Sequence, residues 1–550
     1  MNSINRSIRS VLQFFQAVAF IVFATATYMH SGYAQESTIR VLPEPKQVTA
    51  SGNYATLPAK MSVYLDKNLS IDREYATVLL GEIGIEPVFT LQRKQAHLSL
   101  VRGKQGGKGA ESYRLQVTAH GDKQAIQVAA NTGTGAIYAL QTLRQLVKSQ
   151  ADGQLTVPVC EIKDEPYFSW RAFMLDESRH FHGKEMVKQL LDEMVRLKFN
   201  TFHWHLVDDP AWRIEIKKYP LLTEISSKGD YTHMSKGIDP AKWDSLYQHK
   251  PGLFYTQQDI REIVAYAAER GIRIIPEIEV PGHVSASVYA YPWLGASSKK
   301  AGKLVPGDLY DVTDPKVTEF LHDVLDEIIG LFPGGIIHIG GDEANYAHWQ
   351  QSEPINAFMK KEGIPTYADL QVWAINRLST YISSKGYQMI GWNEITGDNV
   401  RGEAHIEASQ SEKLAPGTIV QFWDGEVTLI NKAIAKGYDV VNSNRFFTYL
   451  DYPYETTSLE KAYSFNPIPD GIAPQDRKKI LGLGCQLWGE FTPTTARIYY
   501  QLFPRLAAFA VIGWVDPDQK PTYEQFIQNF KPIEDVWKEK GYLSDQPYRD

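Results

Sequence analysis

From Ser169 onward the apolar positions come in a repeating pair of patterns: a short unbroken run, then a longer stretch with apolar residues three and four apart. The short runs read as buried strands at 172–175, 201–206, 273–277, 335–339, 388–392, 418–422, 439–443 and 481–487. The spaced stretches read as helices at 183–197, 257–270, 317–331, 367–385, 427–436 and 495–509. Eight strands alternating with helices predict a closed (β/α)8 TIM barrel, whose working residues belong at the C-terminal ends of its strands. Polar and aromatic residues do follow the predicted strands: Asp176, His205, Glu277 with His283, Asp342 with Glu343, Trp392, Trp423, Tyr449 with Asp451, and Trp488 with Glu490.

Upstream the pattern is different. Short runs at 61–65, 97–101, 113–117 and 125–129 alternate with helices at 73–83 and 133–148, the latter keeping Ala136, Leu140, Leu143 and Leu146 on one face. This predicts a small α/β domain over 35–165 ahead of a barrel over 166–550, with 157–166 as the junction. Residues 1–34 carry Arg6 and Arg9, an apolar run from Phe14 to Ala26, and Gly32-Tyr33-Ala34 before Gln35. They read as a secretory signal peptide on an exported, periplasmic or secreted protein, with an uncleaved anchor as the alternative. Nothing later in the chain is apolar enough to span a membrane.

Composition narrows the class. The chain has 550 residues, 43% hydrophobic and 22% charged, which is ample for a packed core. A formal charge of −7 argues against a nucleic-acid partner. Twelve Trp and 30 Tyr suit either core packing or the apolar faces of sugar rings. Cys160 and Cys485 are the only cysteines, too few for a cysteine metal site. They read as buried thiols, and export leaves a disulfide open.

The most informative stretch is GGIIHIGGDEANYAHW, residues 334–349, in which a buried strand opens through two glycines onto adjacent carboxylates, Asp342 and Glu343. Neighbours in sequence are poorly placed to flank a sugar as two conventional glycosidase carboxylates do, at about 5–5.5 Å for retention or about 6.5–9.5 Å for inversion. One would serve as acid and base while the other holds a group beside the reacting carbon. The structural alternative is a helix cap. His203 and His205, two apart on one strand face, allow a second alternative with His283, His338 and Asp342: a hydrolytic metal site. Against it, His338 stands inside a buried strand.

HxGGDE with its downstream Trp resembles the signature of glycoside hydrolase family 20, the β-N-acetylhexosaminidases. Further similar segments run from about residue 40 to about residue 515, including LPEPKQV, WRAFMLDESRHF, PEIEVPGH, GWNEI, QFWDG, YLD and QLWGE. The resemblance implies substrate-assisted, retaining, exo-acting hydrolysis of a terminal non-reducing β-linked N-acetylhexosamine, GlcNAc or GalNAc, with a glycan as partner and no metal or organic cofactor. It implies Glu343 as general acid and base, Asp342 and Tyr449 on the acetamido group, and His283 with Asp176 beside the acid. Trp392, Trp423 and Trp488 would box the acetamido methyl, and Arg171, Asp451 and Glu490 would hold hydroxyls at the far end. Arg179, Asp208 and Asp209 are expected to be structural. The chain departs from the family pattern at DDPAWR for DQGWR, at Asn393 for Asp and at Val511 for Glu. A glycan-binding barrel without activity and a disaccharide-releasing enzyme are the competing functions.

Overall fold

The structure is a computed structural model that describes residues 39–103, 107–120, 123–231, 252–296, 307–398, 408 and 413–543. The expected signal peptide lies outside the described residues. Among those residues no helix is long and apolar enough to cross a membrane.

The N-terminal part is one mixed sheet of strands β1 (Gln47–Leu57), β2 (Lys60–Leu65), β3 (Glu86–Phe89), β4 (Leu98–Arg102), β5 (Tyr113–His120), β6 (Lys123–Ala130), β7 (Lys148–Ser149) and β8 (Leu155–Asp164). Their order is β1-β8-β5-β6-β4-β2-β3, with β7 paired to β8. Helices Arg73–Gly81 and Gly133–Leu146 pack on it, each started by a side-chain cap, Asp72 and Thr132. The predicted junction is therefore corrected. Residues 155–164 form an interior strand that pairs antiparallel with both β1 and β5, and Leu155, Val157, Cys160, Ile162 and Asp164 along it are buried. The true crossing to the barrel is the short segment 165–169.

Eight parallel strands close the barrel: β9 (Trp170–Asp176), β10 (Thr201–His205), β11 (Arg273–Glu277), β12 (Ile336–His338), β13 (Gln388–Trp392), β14 (Ile419–Phe422), β15 (Asp439–Asn442) and β16 (Ile480–Leu487). β16 pairs back onto β9, with Gly482 opposite Trp170 and Leu487 opposite Leu175. Trp170, Ala172, Ile275, Ile336, Ile390, Ile419 and Val441 fill the interior toward the base, so the barrel is a packed core. The predicted helix 495–509 is two helices, Thr495–Leu502 and Arg505–Trp514, because Pro504 has no N–H for the ladder. Cys160 and Cys485 are both free and buried.

Arg171 also differs from expectation. It lies at the start of β9, at the base of the barrel and away from the rim. There its guanidinium donates to the carbonyls of Phe168 (2.7 Å) and Lys198 (2.8 Å) and to Glu111 Oε1 (2.7 Å), and it stacks over Trp514. Beside it Lys198 Nζ meets Asp164 Oδ2 at 3.0 Å, and Asp164 also accepts from Tyr113 Oη and Trp514 Nε1. This buried network joins the N-terminal sheet to the barrel floor. Each charge in it has a partner, as burial demands.

Candidate active site

The loop after β12 is shaped by glycine. Gly340 and Gly341 have φ of +65° and +97°, and a Cβ on Gly340 would run into the carboxylate of Glu279. On Gly341 it would lie 2.5 Å from Ile395 Cγ2. The next turn places Asp342 and Glu343 side by side at the top of the barrel. Neither caps a helix: the short helix Ala347–Gln350 begins after Tyr346 and has no side-chain cap. Glu343 and His283 are both held in the left-handed region, at φ of 50° and 55°, a conformation that costs free energy in a non-glycine residue.

His283 connects the two carboxylates to the barrel. Its Nε2 lies 3.6 Å from Asp342 Oδ2 and 3.7 Å from Glu343 Oε2, while Nδ1 meets Asp208 Oδ1 at 3.2 Å. Burial opposes the charged imidazole, but Asp208, Asp342 and Glu279 outweigh it and hold its pKa well above the ordinary histidine value. Asp342 is pushed up, first by burial and then by the charges of Glu343 and Glu277, with His283 acting in the other direction.

The partner of His283 is thus Asp208, which corrects the role expected of Asp176. Asp176 is fully buried and accepts from the backbone N–H of Ser178 (2.9 Å), Arg179 (3.1 Å) and Gly489 (2.9 Å). It also pairs with Arg179 Nη1 at 3.0 Å and lies 3.3 Å from His205 Nδ1. Asp209, next to Asp208, takes the Ser285 N–H and hydroxyl at 3.0 and 2.6 Å and so anchors the His283 loop.

Above these groups is a cavity of about 240 Å³ lined by Arg179, His283, Asp342, Glu343, Trp423, Tyr449, Asp451, Tyr452, Trp488, Glu490 and Phe491. It is smaller than the roughly 300–1,000 Å³ of drug-sized pockets, a fit for one sugar ring. One wall is aromatic: Tyr449 stacks on Trp423 at 6.2 Å and 10°, and Trp488 leans on Tyr449 at 5.9 Å. Trp392 supports this wall from below without lining the cavity, and its Nε1 donates to Glu277 Oε1 at 2.8 Å. The opposite end holds Arg179, Asp451 and Glu490, with Arg179 Nη2 3.8 Å from Glu490 Oε1. Burial, followed by the charge of Glu490, raises Asp451 to about 8. Asp342 Oδ1, Asp451 Oδ1 and Glu490 Oε2 are buried with no hydrogen-bond partner among the described residues, so each can accept from a donor that enters the cavity.

The histidines of the metal alternative fall into separate groups. Among the described residues, His203 and His338 group with Glu277, His205 with Glu277 and Glu279, and His283 with Asp208 and Asp209. The first two groups are closed inside the barrel at hydrogen-bonding distances, such as His203 Nε2 to Glu277 Oε2 at 2.8 Å. The third is committed to orienting His283.

Sequence reasoning set Arg179 and Asp208 down as structural, whereas Arg179 lines the cavity and Asp208 meets His283. Their signal was present in DESRHF and HLVDDP, each directly after a strand end at the rim.

Residues 168–517 match Glycosyl hydrolase family 20, catalytic domain, and residues 38–165 match domain 2 of the same family. The chain belongs to glycosyl hydrolase family 20. The β-hexosaminidase of Vibrio furnissii is 38% identical over 411 residues, 71% of this chain and 64% of that protein. The β-hexosaminidase of Porphyromonas gingivalis is 33% identical over 524 residues, 89% of this chain and 62% of that protein. The chain therefore spans a little under two thirds of the length of these two relatives. The solved structure of the family 20 exo-β-N-acetylglucosaminidase of Vibrio harveyi in complex with N-acetylglucosamine superposes with a TM-score of 0.78 at 29% identity, covering 93% of this chain and 78% of that one.

Proposed function

We propose that this family 20 chain removes single terminal non-reducing β-linked N-acetylhexosamine residues, GlcNAc or GalNAc, from glycans, with retention and with the substrate's own acetamido oxygen as nucleophile. The observation that carries the reading is the placement of Asp342 and Glu343, adjacent on one strained loop at one end of a one-sugar cavity. The other lining carboxylates sit with Arg179 at the opposite end, and one of them, Asp451, is kept protonated near neutral pH by burial. A protonated carboxyl is no nucleophile. The substrate's acetamido oxygen, held beside the adjacent pair, attacks the anomeric carbon.

In the first step the acetamido oxygen forms a bond to C1 while Glu343 gives its proton to the departing glycosidic oxygen. The product is a cyclic oxazolinium. Asp342 accepts from the acetamido N–H and balances the positive charge, and Tyr449 donates to the former carbonyl oxygen. In the second step Glu343 takes a proton from water, whose oxygen attacks C1 from the face the leaving group vacated, and the acetamido group is restored. Two inversions give net retention. His283, charged and fixed by Asp208, offsets the carboxylate that Glu343 becomes between the steps.

Arg179, Asp451 and Glu490 would grip hydroxyls at the closed end. The planar guanidinium of Arg179 suits paired oxygens, and it takes the role expected of Arg171. A closed end in a small cavity favours one sugar over a disaccharide. The relatives' names and the bound N-acetylglucosamine of the Vibrio harveyi protein support the substrate class. We further propose export to the periplasm or medium, on the strength of the leader-like residues 1–34. A hydrolysis screen on defined glycans should show release of single β-linked N-acetylhexosamines. Release of disaccharides, or binding without turnover, would replace the reading with one of its competitors.

A further inference from the structure

Arg179 faces two ways. Its Nη2 points to the cavity end, 3.8 Å from Glu490, while Nη1 is held between Asp176 at 3.0 Å and Asp208 at 2.8 Å. With its other oxygen Asp208 meets His283 Nδ1 at 3.2 Å, and His283 Nε2 stands 3.7 Å from Glu343. Arg179 is 8% exposed and Asp208 2%, so these charges act on one another with little screening. The distance from His283 to Glu343 exceeds that of a hydrogen bond. At this distance the imidazolium steadies the carboxylate formed when Glu343 gives up its proton through charge, more strongly the closer it stands.

We propose that Arg179, besides gripping the sugar, is a positioning residue for the proton chemistry: by sharing Asp208 with His283 it loosens the hold of Asp208 on the imidazole, so that engagement of the far-end hydroxyls is felt at Glu343. The proposal rests on the reading of Glu343 as general acid. Arg179 faces Asp176, Asp208, Asp209 and Glu490. Asp208 faces Arg179, His283 and, at 3.3 Å, His205 Nε2. His283 faces Asp208, Asp209 at 3.8 Å, Asp342, Glu343 and Glu279. Without the guanidinium, Asp208 binds the imidazole more tightly, and less of its charge is available to Glu343. Protonation of a poor leaving group then suffers, whereas an activated leaving group needs little protonation.

The test compares kcat for diacetylchitobiose with kcat for a dinitrophenyl N-acetylglucosaminide. Arg179→Gln should slow both through loss of sugar grip, and should slow the disaccharide about tenfold more, a part of the roughly 10²–10⁴ that general acids contribute. Arg179→Lys keeps the charge beside Asp208 while losing the planar fork, so its losses should be equal on the two substrates. In an Asp208→Asn background the extra loss from Arg179→Gln should vanish. Equal losses in Arg179→Gln itself would overturn the proposal. If that variant does not fold, 3-deoxy and 4-deoxy sugars with the two leaving groups make the same comparison on the unaltered protein, and a deoxy penalty independent of the leaving group would overturn it equally. The underlying acid assignment fails separately, if Glu343→Gln does not discriminate between the two substrates.

Discussion

Replacing Tyr449 with Phe removes one oxygen from the site and almost nothing else. The ring is 6% exposed, stacked on Trp423 at 6.2 Å and leaning on Trp488, and all of those contacts survive in Phe. Burial pushes the phenol well above its usual range, so the group lost is an O–H donor at every practical pH. In the proposed cycle that donor faces an oxygen whose charge changes as the oxazolinium forms. Because that oxygen loses electron density as it bonds to C1, the donor acts by holding it on the line of attack, and misplacing a reacting atom by about 1 Å costs about 10²-fold in kcat. The assay is kcat and KM on an activated aryl N-acetylglucosaminide, for which protonation by Glu343 matters little and cyclisation is exposed. The fall should appear in kcat, with denaturant stability changed by no more than about 1 kcal/mol because no cavity larger than a hydroxyl is left. A fall in kcat of less than about tenfold, or an effect confined to KM, would refute the placement of Tyr449 on the reacting group.

Three further outcomes are expected. Glu343→Gln should lose nearly all activity on oligosaccharides and far less on activated aryl glycosides, as rates on the two substrate types will reveal. Replacing the substrate's acetamido with a hydroxyl should abolish turnover, and a thiazoline mimic of the cyclised intermediate should inhibit far more tightly than the free sugar; a sugar ester trapped on an Asp or Glu of the chain would contradict both. Asp451 is raised from 3.8 to about 8 on folding, so the folded state binds more protons and the contribution of this group to stability, full below pH 4, is lost as pH rises toward 8. Asp451→Asn should therefore gain stability relative to the unaltered chain between pH 5 and pH 8 in denaturant titrations, and a constant difference would show the shift to be absent.

The barrel was legible because its strands are buried on both faces and read as unbroken apolar runs; β11 and β13 match their expected limits residue for residue. β1 was not legible. Along QVTASGNYATL only Ala55 and Leu57 are buried, so no apolar alternation marks it as a strand. The acidic pair, Tyr449, Trp423, Trp488, Asp451 and Glu490 were legible because each follows a strand end, and the cavity gathers all of them. Arg171 was misplaced although geometry available from the sequence argued otherwise: it precedes Asp176 by five residues on one strand, roughly 16 Å at about 3.3 Å per residue. The choice between Asp176 and Asp208 as partner of His283 depends on how the loop after β10 turns back over the barrel mouth, and no periodicity records that path.

The central buried charges at the two ends of the barrel are partnered differently. At the base Arg171, Lys198 and Asp164 are each matched within the chain, down to the indole of Trp514. Such a network fixes the N-terminal sheet to the barrel floor and offers an incoming molecule nothing. At the rim Asp342, Asp451 and Glu490 each bury an oxygen without a hydrogen-bond partner among the described residues, and Glu343 and His283 stand in left-handed backbone, as Lys198 does at the base. Each of these features lowers stability. A hydroxyl-rich, amide-bearing ring supplies the missing donors at both ends of the cavity at once. The free energy withheld from folding is then available for holding that ring against the acid.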